Sequence, residues 1–281
     1  MGGTPRLWCV GHIMIFTMSH SPYLSIIFVN YQSAWALSLA LQSLFSLELE
    51  WHLFEVIIIN NDKREQRVLE HLATLFPLRI FQNNQNSGFG QGANSALLFA
   101  QGEVLGFLNP DIRWREANIG KIVEFFRKQP TPTILGLPLL TSEGEHDPLS
   151  YGEAPNLLTL LQNNLLPLGL PRKNTLRRPL DWVSGGALFV PKASFSFLGG
   201  FDKNFFLYFE DVDLCLRAKK LGINITLSSF GGITHAGGKS FSSRALQKRH
   251  FYMSQNRYYK IHRPVLEWHI LRFFHRFFSF V

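Results

Sequence analysis

The order of apolar and polar residues in the first part of the chain constrains the fold more than any other feature. Four short, mostly apolar runs, each followed by a polar cluster, are Leu24–Val29, Phe54–Ile59, Leu78–Phe81 and Val104–Leu108. Such runs are typical of strands buried on both faces of a parallel sheet. Segments with helical spacing lie between them, at Ser33–Ser46, Glu65–Leu75 and Ala93–Ala100. This alternation predicts an α/β fold with an open, Rossmann-like, mostly parallel sheet, in which ligands bind where the strands end.

The rest of the chain continues the pattern less regularly. Its predicted elements are a helix near Glu116–Lys128, strands at Thr133–Leu137, Asp181–Val190 and Ile223–Leu227, and a loop at Thr234–Ser240. Gly185-Gly186 interrupts the second of these strands, and the lack of side chains there lets backbone or ligand approach closely. Residues 141–178 are rich in Pro, Asn and Leu without periodicity, so we expect a lid or an acceptor-binding insertion.

The composition is that of a folded protein with an anionic partner. With 281 residues, 46% hydrophobic and 17% charged, the chain is long enough for one large domain with appendages. The formal charge of +8 favours nucleic acid, a nucleotide, a phosphorylated lipid or a membrane surface, and composition does not choose among them. Cys9 and Cys215 form neither a disulfide framework nor a zinc pattern.

The two ends of the chain differ from its middle. Residues 1–22 lack a clear cleavage site for a signal peptide, and we expect a poorly structured leader. Residues 264–281 place basic side chains on one helical face and Leu, Ile and Phe on the opposite side. This is typical of a helix lying in a membrane interface, and a terminal helix packed on its own domain is an equal alternative. No apolar run of about 20 residues predicts a transmembrane helix.

An aromatic and acidic stretch, Gly199–Gly222, contains the strongest candidates for catalysis. Five aromatic residues precede three closely spaced carboxylates, and a helical pattern begins at Glu210. Acids in the first helical turn and cations in the last are the order that a helix dipole favours. Asp213 lies four residues before Arg217, so we expect an ion pair there. For Glu210 and Asp211 we expect a functional role, because buried aromatic rings lower the dielectric constant around them.

Asn109-Pro110-Asp111 ends the fourth apolar run, which places Asp111 at the binding edge of the predicted sheet. Hard oxygen ligands at such a position suit Mg²⁺ or Mn²⁺, which bind one or two carboxylates together with substrate phosphates. Asn, Pro and Asp also form turns, and a plain turn is an equal alternative. His235, in a glycine-flanked loop, is a candidate second ligand or simply one of ten histidines.

The glycine run Gly88–Ala93 matches G-x-G-x-x-A, and Asp111 follows at roughly the spacing of a dinucleotide-binding fingerprint. An NAD-binding oxidoreductase is therefore a competing interpretation. Two details disfavour it. Asn83–Ser87 separate the first glycine from the preceding strand, and the unit comes third rather than first in the sheet.

Seven segments follow one another in a specific order along the chain. They are SIIFVNY, VIIINND, NQNSGFGQGAN, GEVLGFLNPD, DWVSGGALFV, GGFDKNFFLYFEDVDLCLRA and THAGGKS. Together they resemble the family 2 glycosyltransferases with the GT-A fold, and in particular the rhamnosyltransferase-like branch, which often has NPD in place of DxD. The resemblance extends from about Leu24 to Pro264. It implies a GT-A domain at 23–262, preceded by the leader at 1–22 and followed by an amphipathic helix at 263–281.

The resemblance also implies roles for individual residues. Asp111 would ligate a divalent metal on the donor diphosphate, with Asn109 beside it, and His235 would complete the metal site. The donor-binding residues would be Asn30, Asn60, Asn86, Gly88 and Asn94, to which we add Gly185 because a ligand can approach it closely. Asp211 would be the general base, with Glu210 adjacent to it. Asn60 stands where the family usually has Asp, which puts the preference for a nucleotide base in doubt.

The implied reaction is an inverting transfer of a hexose, with rhamnose as the candidate, from a dTDP- or UDP-linked donor to a saccharide or lipid-linked acceptor. A base takes the acceptor proton and Mg²⁺ or Mn²⁺ stabilises the leaving diphosphate. No nucleic-acid partner is implied. A cytoplasmic location is implied, in cell-surface polysaccharide assembly, with peripheral membrane association through 264–281 as a further expectation. Alternatives are the NAD-binding oxidoreductase and a non-catalytic sugar-nucleotide-binding protein, which only Asn60 suggests.

Overall fold

The core of the fold is a seven-stranded sheet with helices on both faces, described here from a computed structural model. The structure describes residues 9–10, 13–14, 21–48, 50–116, 118–147, 150–158, 180–235 and 244–278. The helices are α1 Ala34–Leu47, α2 Gln66–Leu75, α3 Phe89–Ser95, α4 Ile119–Lys128, α5 Lys192–Phe197, α6 Glu210–Lys220, α7 Arg244–His262 and α8 Val265–Phe278. The strands are β1 Cys9–Val10, β2 Ile13–Met14, β3 Leu24–Asn30, β4 Phe54–Asn60, β5 Leu78–Gln82, β6 Val104–Leu108, β7 Ile112–Trp114, β8 Thr133–Gly136, β9 Leu139–Leu140, β10 Tyr151–Gly152, β11 Trp182–Val183, β12 Ala187–Pro191, β13 Asn224–Leu227 and β14 Ile233–His235.

The strands of the large sheet follow the order β13-β8-β12-β6-β3-β4-β5. Only β12 runs antiparallel to its neighbours, so the predicted open and mostly parallel α/β sheet is confirmed. The four apolar runs form the adjacent strands β6, β3, β4 and β5. Their register sets Asn30 opposite Asn60 and Asn60 opposite Gln82. The polar clusters that follow the strands therefore meet at one edge of the sheet.

The sheet is buried on both faces, as its continuous apolar runs predict. Ile26 and Phe28 belong to the hydrophobic cluster on one face, which also contains the inner side of α1. Ile27 and Val29 point to the other face, toward a cluster that includes residues of α3 and α6. Complete burial of each such side chain contributes about 1.5–3 kcal/mol. This two-sided core fixes the positions of the strand ends.

A third, smaller cluster attaches the two C-terminal helices to α6. It consists of Phe205, Val212, Tyr258, Tyr259 and Leu271. The tyrosines come from α7 and Leu271 from α8, so both helices pack next to the first turn of α6. We name α7 and α8 together, residues 244–278, the C-terminal hairpin.

A second sheet, with the order β7-β14-β9, lies beside the large one. In it His235 pairs with Ile112 of β7, immediately after Asp111. The predicted loop at Thr234–Ser240 is therefore wrong at its first two residues, which belong to β14. Residues 236–240 lie outside the described part of the chain. Three-residue strands carry no detectable periodicity, which is why β7 and β14 were not predicted.

Several helix boundaries also differ from the prediction. Helix α3 begins at Phe89, inside the glycine run, and not at Ala93, and a 3₁₀ turn at Ala96–Leu98 follows it. Glycine is a poor helix former, so the run hides this start. A Cβ atom at Gly90 would lie 3.0 Å from that of Phe201, so small residues let the helix pack closely. Helix α4 begins at Ile119, later than the predicted Glu116.

The predicted leader and insertion are only partly described. Within residues 1–22, only 9–10, 13–14 and 21–22 are described, and in them β1 and β2 pair antiparallel. The leader stays a prediction. Within 141–178, β10 pairs with β11, which follows this range, and residues 148–149 and 159–178 lie outside the described part. None of the helices in the described ranges is long and apolar enough to cross a bilayer.

Candidate active site

The strand-end asparagines Asn30 and Asn60 form a buried hydrogen-bond network. Asn30 Nδ2 donates to Asn60 Oδ1 and to Glu65 Oε2, each at 2.9 Å. Asn60 Nδ2 donates to Gln82 Oε1 at 2.7 Å and to the Asp62 carbonyl oxygen at 2.9 Å. Both asparagines are fully buried, and both use their two amide hydrogens within the protein. In this structure they shape the edge of the sheet, so a direct contact with the donor stays a prediction.

Glu65 is a residue of this edge that the sequence did not reveal. Its carboxylate accepts hydrogen bonds from the N–H groups of Ser33 and Ala34, at 3.1 and 3.2 Å. It thus caps helix α1, whose own N-cap residue makes no side-chain cap. The partners are more than 30 positions apart, so no local signal could have indicated the cap.

Asp62 keeps a carboxylate at the end of β4, two positions beyond Asn60. Arg64 donates to it twice, from Nε at 2.9 Å and from a terminal nitrogen at 2.7 Å. These hydrogen bonds lower the pKa of Asp62 below its ordinary value. Asp62 was part of the predicted polar cluster but had no assigned role.

The glycine run is fastened to the aromatic stretch that precedes α6. Gly88 has φ +79°, and a Cβ atom there would lie 2.1 Å from the Phe206 carbonyl oxygen. The Phe89 N–H donates to that same oxygen at 3.0 Å. Asn86 Oδ1 accepts from the Gly88 N–H at 3.0 Å, which holds the turn. Close packing of two chain segments thus explains Gly88, and the dinucleotide fingerprint is not needed to explain it.

Asn94 has a similar connecting role. Its Nδ2 donates to the Phe201 carbonyl oxygen at 2.8 Å, and its Oδ1 accepts from the Phe201 N–H at 2.9 Å. The side chain therefore ties α3 to the start of the aromatic stretch. Whether it also lines the donor pocket stays a prediction.

Asp111, Asn109 and His235 come together at the end of β6, as the sequence predicts. His235 Nε2 lies 3.2 Å from Asp111 Oδ1 and 3.3 Å from Asn109 Nδ2. Burial lowers the pKa of His235, but the hydrogen bond and the charge of Asp111 raise it more, so the net pKa lies above its ordinary value. The part of the chain that is described contains no group of three His, Cys, Asp or Glu residues placed to hold a metal. A carboxylate oxygen and an imidazole nitrogen still fit Mg²⁺ or Mn²⁺, since these ions keep water and substrate phosphates as further ligands.

The backbone that presents the acids of α6 is strained. Tyr208 and Phe209 have φ values of 68° and 65°, which non-glycine residues rarely adopt. Each such residue costs about 1–2 kcal/mol. Rings of α7 offset this, because the Phe209 ring centroid lies 5.2 Å from that of Tyr258 and 5.5 Å from that of Phe251. Strain held in place by surrounding packing is common at functional sites.

Glu210 and Asp211 are adjacent acids in different surroundings. Asp211 Oδ2 accepts from the Gly185 N–H at 2.7 Å and Oδ1 from the Val212 N–H at 2.8 Å. Glu210 is 5% exposed, and its Oε2 has no hydrogen-bond partner among the residues described. Burial raises the pKa of Glu210 well above its ordinary value, and the charge of Asp211 raises it further. Burial also raises the pKa of Asp211, while its two N–H donors oppose the rise. Of the two acids, Glu210 therefore holds its proton more tightly than Asp211 does.

The Gly185-Gly186 turn connects Glu210 and Asp211 with the cluster of Asn109, Asp111 and His235. The Gly185 N–H donates to Asp211, and the Gly186 carbonyl oxygen accepts from the Asn109 N–H at 3.1 Å. A Cβ atom at Gly185 would lie 3.4 Å from that of Asp211, so the turn passes close to the acid. Two separate sequence motifs thus meet at one dipeptide.

Asp213 has the structural role that the sequence predicts. Arg217 Nε donates to its Oδ2 at 2.8 Å. The structure adds a second partner, because His262 Nε2 of α7 lies 2.7 Å from Asp213 Oδ1. Asp213 thereby helps to fix the C-terminal hairpin to α6.

The family of the protein follows from a match over slightly more than half of its sequence. Residues 25–171, more than half of the chain, match the family model described as Glycosyl transferase family 2. The chain belongs to glycosyl transferase family 2. The resemblance of the seven segments is thereby confirmed.

Two relatives are named rhamnosyltransferases. The N-acetylglucosaminyl-diphospho-decaprenol L-rhamnosyltransferase of Mycobacterium tuberculosis is 28% identical over 169 residues, which cover 52% of this chain and 54% of the relative. Rhamnosyltransferase WbbL of Escherichia coli is 25% identical over 205 residues, which cover 68% of this chain and 77% of the relative. The match with the mycobacterial enzyme thus spans about half of that relative's length.

Solved structures confirm the GT-A fold. The mannosyltransferase PcManGT from Pyrobaculum calidifontis, in complex with GDP-Man and Mn²⁺, has a TM-score of 0.60 at 13% identity, covering 86% of this chain and 64% of that chain. S. aureus TarS 1-349 in complex with UDP has a TM-score of 0.57 at 19% identity, covering 91% of this chain and 72% of that chain. At these identities the likeness concerns the fold alone.

Proposed function

We propose that this family 2 protein is an inverting glycosyltransferase that moves a hexose from a nucleoside-diphosphate donor to a hydroxyl group. The observation that carries the proposal is the Gly185-Gly186 turn, which is hydrogen-bonded to Asp211 and to Asn109. A candidate base and a candidate metal pair are thus attached to one short turn. A displacement reaction needs such positioning, because the attacking hydroxyl and the leaving diphosphate must both lie at the same carbon atom.

In the proposed reaction Asp211 is the general base. It takes the proton of the acceptor hydroxyl while the hydroxyl oxygen forms a bond to the anomeric carbon. The bond from that carbon to the diphosphate oxygen breaks with inversion, and the diphosphate leaves with the bonding electrons. The N–H groups of Gly185 and Val212 fix the orientation of the Asp211 carboxylate. The raised pKa of Glu210 disfavours a second negative charge beside Asp211.

Asp111 and His235 would hold a divalent metal, and Asn109 would orient His235. When bound, Mg²⁺ or Mn²⁺ supplies positive charge that stabilises the leaving diphosphate. The structure of a mannosyltransferase with GDP-Man and Mn²⁺ supports this choice of ion.

The names of the relatives support a narrower proposal for the substrates. Rhamnose is the first candidate sugar, carried by dTDP or UDP, because two relatives are named rhamnosyltransferases. A lipid-linked saccharide is the first candidate acceptor, because the name of the mycobacterial relative contains a diphospho-decaprenol. We place the reaction in cell-surface polysaccharide assembly on the cytoplasmic face of the membrane, and assign catalysis to residues 23–262.

Asp211→Asn tests the proposed base. We expect kcat to fall by about 10²–10⁴-fold, because an amide cannot accept the hydroxyl proton. Donor binding should stay unchanged, which calorimetric titration with dTDP-rhamnose and UDP-sugars would measure beside the initial rates.

The matched control is Asp213→Asn, the same change two positions along the same helix. Asp213 contacts Arg217 and His262, so this variant should lose stability and, while folded, keep its kcat. Near-normal turnover by folded Asp211→Asn would remove Asp211 from the base role.

A further inference from the structure

A basic groove of about 630 Å³ lies between the two helices of the C-terminal hairpin. Lys248 and Arg249 of α7 and Arg272 and Arg276 of α8 are among the residues that line it. The hairpin as a whole is strongly basic, with Glu267 as its one acid. Its eight Lys and Arg residues are Arg244, Lys248, Arg249, Arg257, Lys260, Arg263, Arg272 and Arg276.

Two cations of the hairpin that form ion pairs lie outside the groove. Arg257 pairs with Asp202 at 2.6 Å, and Arg263 pairs with Glu267 at 2.7 Å. Within the described ranges, no carboxylate lies within ion-pair distance of Arg249, Arg272 or Arg276. The groove thus keeps a concentrated positive charge that complements a phosphate-bearing surface.

The same hairpin exposes large apolar side chains. Leu266 is 71% exposed, Phe273 62% and Met253 59%. On α8, Leu271 packs inward on the tyrosines of α7, while Leu266 and Phe273 lie on another side of the helix. The sequence left open whether this helix packs on its own domain or lies in a membrane interface. Among the described residues, Leu271 packs inward, while Leu266 and Phe273 are more than half exposed to solvent.

We propose that the C-terminal hairpin docks the protein on a bilayer that contains anionic phospholipid. Leu266, Phe273 and Met253 insert at the level of the headgroups, and the groove binds lipid phosphates. Arginine suits this role because its guanidinium donates two parallel hydrogen bonds to one phosphate. A small soluble anion would explain the charge of the groove but not the exposed apolar side chains. A basic face beside an apolar face is the pattern of helices that lie in a membrane interface.

The hairpin also connects this surface with the acid pair. The His250 ring of α7 stacks on Phe206, with ring centroids 4.4 Å apart. Gln247 donates to the Tyr208 hydroxyl, and Ser254 donates to the Leu207 carbonyl oxygen, each at 2.7 Å. Docking would therefore hold the segment that presents Asp211 close to the bilayer, where a lipid-linked acceptor is found. This last step rests on the proposed function, and the docking itself does not.

Vesicle flotation of the full-length protein, without donor or acceptor, tests the proposal. We expect binding to vesicles of phosphatidylcholine mixed with phosphatidylglycerol and much weaker binding to phosphatidylcholine alone. Arg272→Glu/Arg276→Glu should weaken binding to the anionic vesicles by more than about tenfold. Each basic residue near an anionic surface adds electrostatic attraction, and each Glu replaces it with repulsion. Leu266→Ser/Phe273→Ser should also weaken it. Circular dichroism would establish that each variant is folded.

Lys121→Glu/Lys128→Glu on the exposed side of α4 is the charge-matched control, and it should bind almost as well as the unmodified protein. Asp211→Asn should bind equally well, so a failed transferase assay leaves this test intact. Equal binding to neutral and anionic vesicles, or equal loss in the control, would overturn the proposal. So would stabilisation by inorganic diphosphate that depends on Arg272 and Arg276 without any vesicle binding, which would mark a site for a soluble anion.

Discussion

At the scale of single residues, Glu210 is a buried acid whose surroundings favour its neutral form. Its folded pKa lies well above the ordinary value of 4.5, so the folded state binds a proton more tightly than the unfolded state does. The contribution of Glu210 to the free energy of unfolding is then fully present below pH 4.5 and is lost as the pH rises through the folded pKa.

Glu210→Gln should remove the loss of stability that Glu210 causes as the pH rises. At pH 7 the variant should be more stable than the unmodified protein, by up to about 1.4 kcal/mol for each pH unit between the two pKa values. The difference should vanish in acid, which urea unfolding across pH would show. Glu124→Gln is the control, because the hydrogen bond from Lys128 lowers the pKa of Glu124, and it should give no gain in stability at pH 7. A gain for Glu210→Gln that does not change with pH would contradict the assigned pKa.

Asn60 allows a second test at this scale, because the family usually has Asp at its position. Asn60→Asp would place a carboxylate oxygen against Gln82 Oε1 and the Asp62 carbonyl oxygen, which now accept the amide hydrogens of Asn60. We expect a loss of about 1–3 kcal/mol in the free energy of unfolding, because one oxygen of the buried carboxylate would face two acceptors and no donor. Asn84→Asp, the same change at an exposed residue of the next strand-end cluster, should stay within about 0.5 kcal/mol. An unchanged stability of Asn60→Asp would show that the Gln82 side chain turns so that its amide nitrogen donates to the new carboxylate.

The sequence predicted the positions of Asp111 and Asp211 because both follow from local rules. Asp111 ends an apolar strand, and Asp211 lies in the first turn of a helix. It did not predict that Asn30 and Asn60 use their amide hydrogens inside the protein. It did not predict Glu65 as a cap either. Such partners depend on which side chains the sheet brings together, and neighbours in sequence carry no trace of them.

At the scale of elements, the glycine run and the aromatic stretch pack so closely that a side chain at Gly88 has no space. Gly88→Ala would push a methyl group to within 2.1 Å of the Phe206 carbonyl oxygen, at a φ of +79°. We expect the free energy of unfolding to fall by about 3 kcal/mol or more, because the steric clash adds to a backbone cost of about 1–3 kcal/mol. Because Phe206 belongs to the segment that presents Asp211, turnover should fall as well. Denaturant unfolding and initial rates measure the two effects.

Gly199→Ala separates the two contributions. Gly199 has φ +73°, and a Cβ atom there would meet nothing within 4 Å. This variant should lose only the conformational part, about 1–2 kcal/mol. An equal loss at both positions would mean that contact with Phe206 contributes nothing.

Elements with a long apolar pattern were predicted correctly. Short elements, which form only because they pack or pair with another part of the chain, were not predicted. Strands β3, β4 and β6 are continuous apolar runs of five to seven residues, and each was predicted within one residue. Strands β7 and β14 have three residues each and exist because they pair with each other. Helix α7 was not predicted, because its apolar residues do not form one stripe. It packs inward through tyrosines while it exposes Met253.

At the scale of the whole molecule, the fold brings together residues that the chain keeps far apart. Asn109 and His235 are 126 positions apart, yet their side-chain nitrogens lie 3.3 Å from each other. The seven ordered segments indicated this meeting through the resemblance to the family. Composition and periodicity alone left Asp111 and His235 as two separate weak candidates. The meeting depends on β14 pairing with β7, which no local pattern showed.

A ligand that bridges Asp111 and His235 should therefore stabilise the whole fold. A metal ion that binds only the folded state contributes about 2.7 kcal/mol at 100 times its Kd. We expect Mn²⁺ together with UDP or dTDP to raise the Tm of the unmodified protein by several degrees, because the nucleotide diphosphate supplies the missing ligands. Asp111→Asn and His235→Gln should each lose most of this rise, whereas His269→Gln, at an exposed histidine of α8, should keep it. An equal rise in all four proteins would place the metal elsewhere and leave Asp111 and His235 as an ordinary hydrogen-bonded pair.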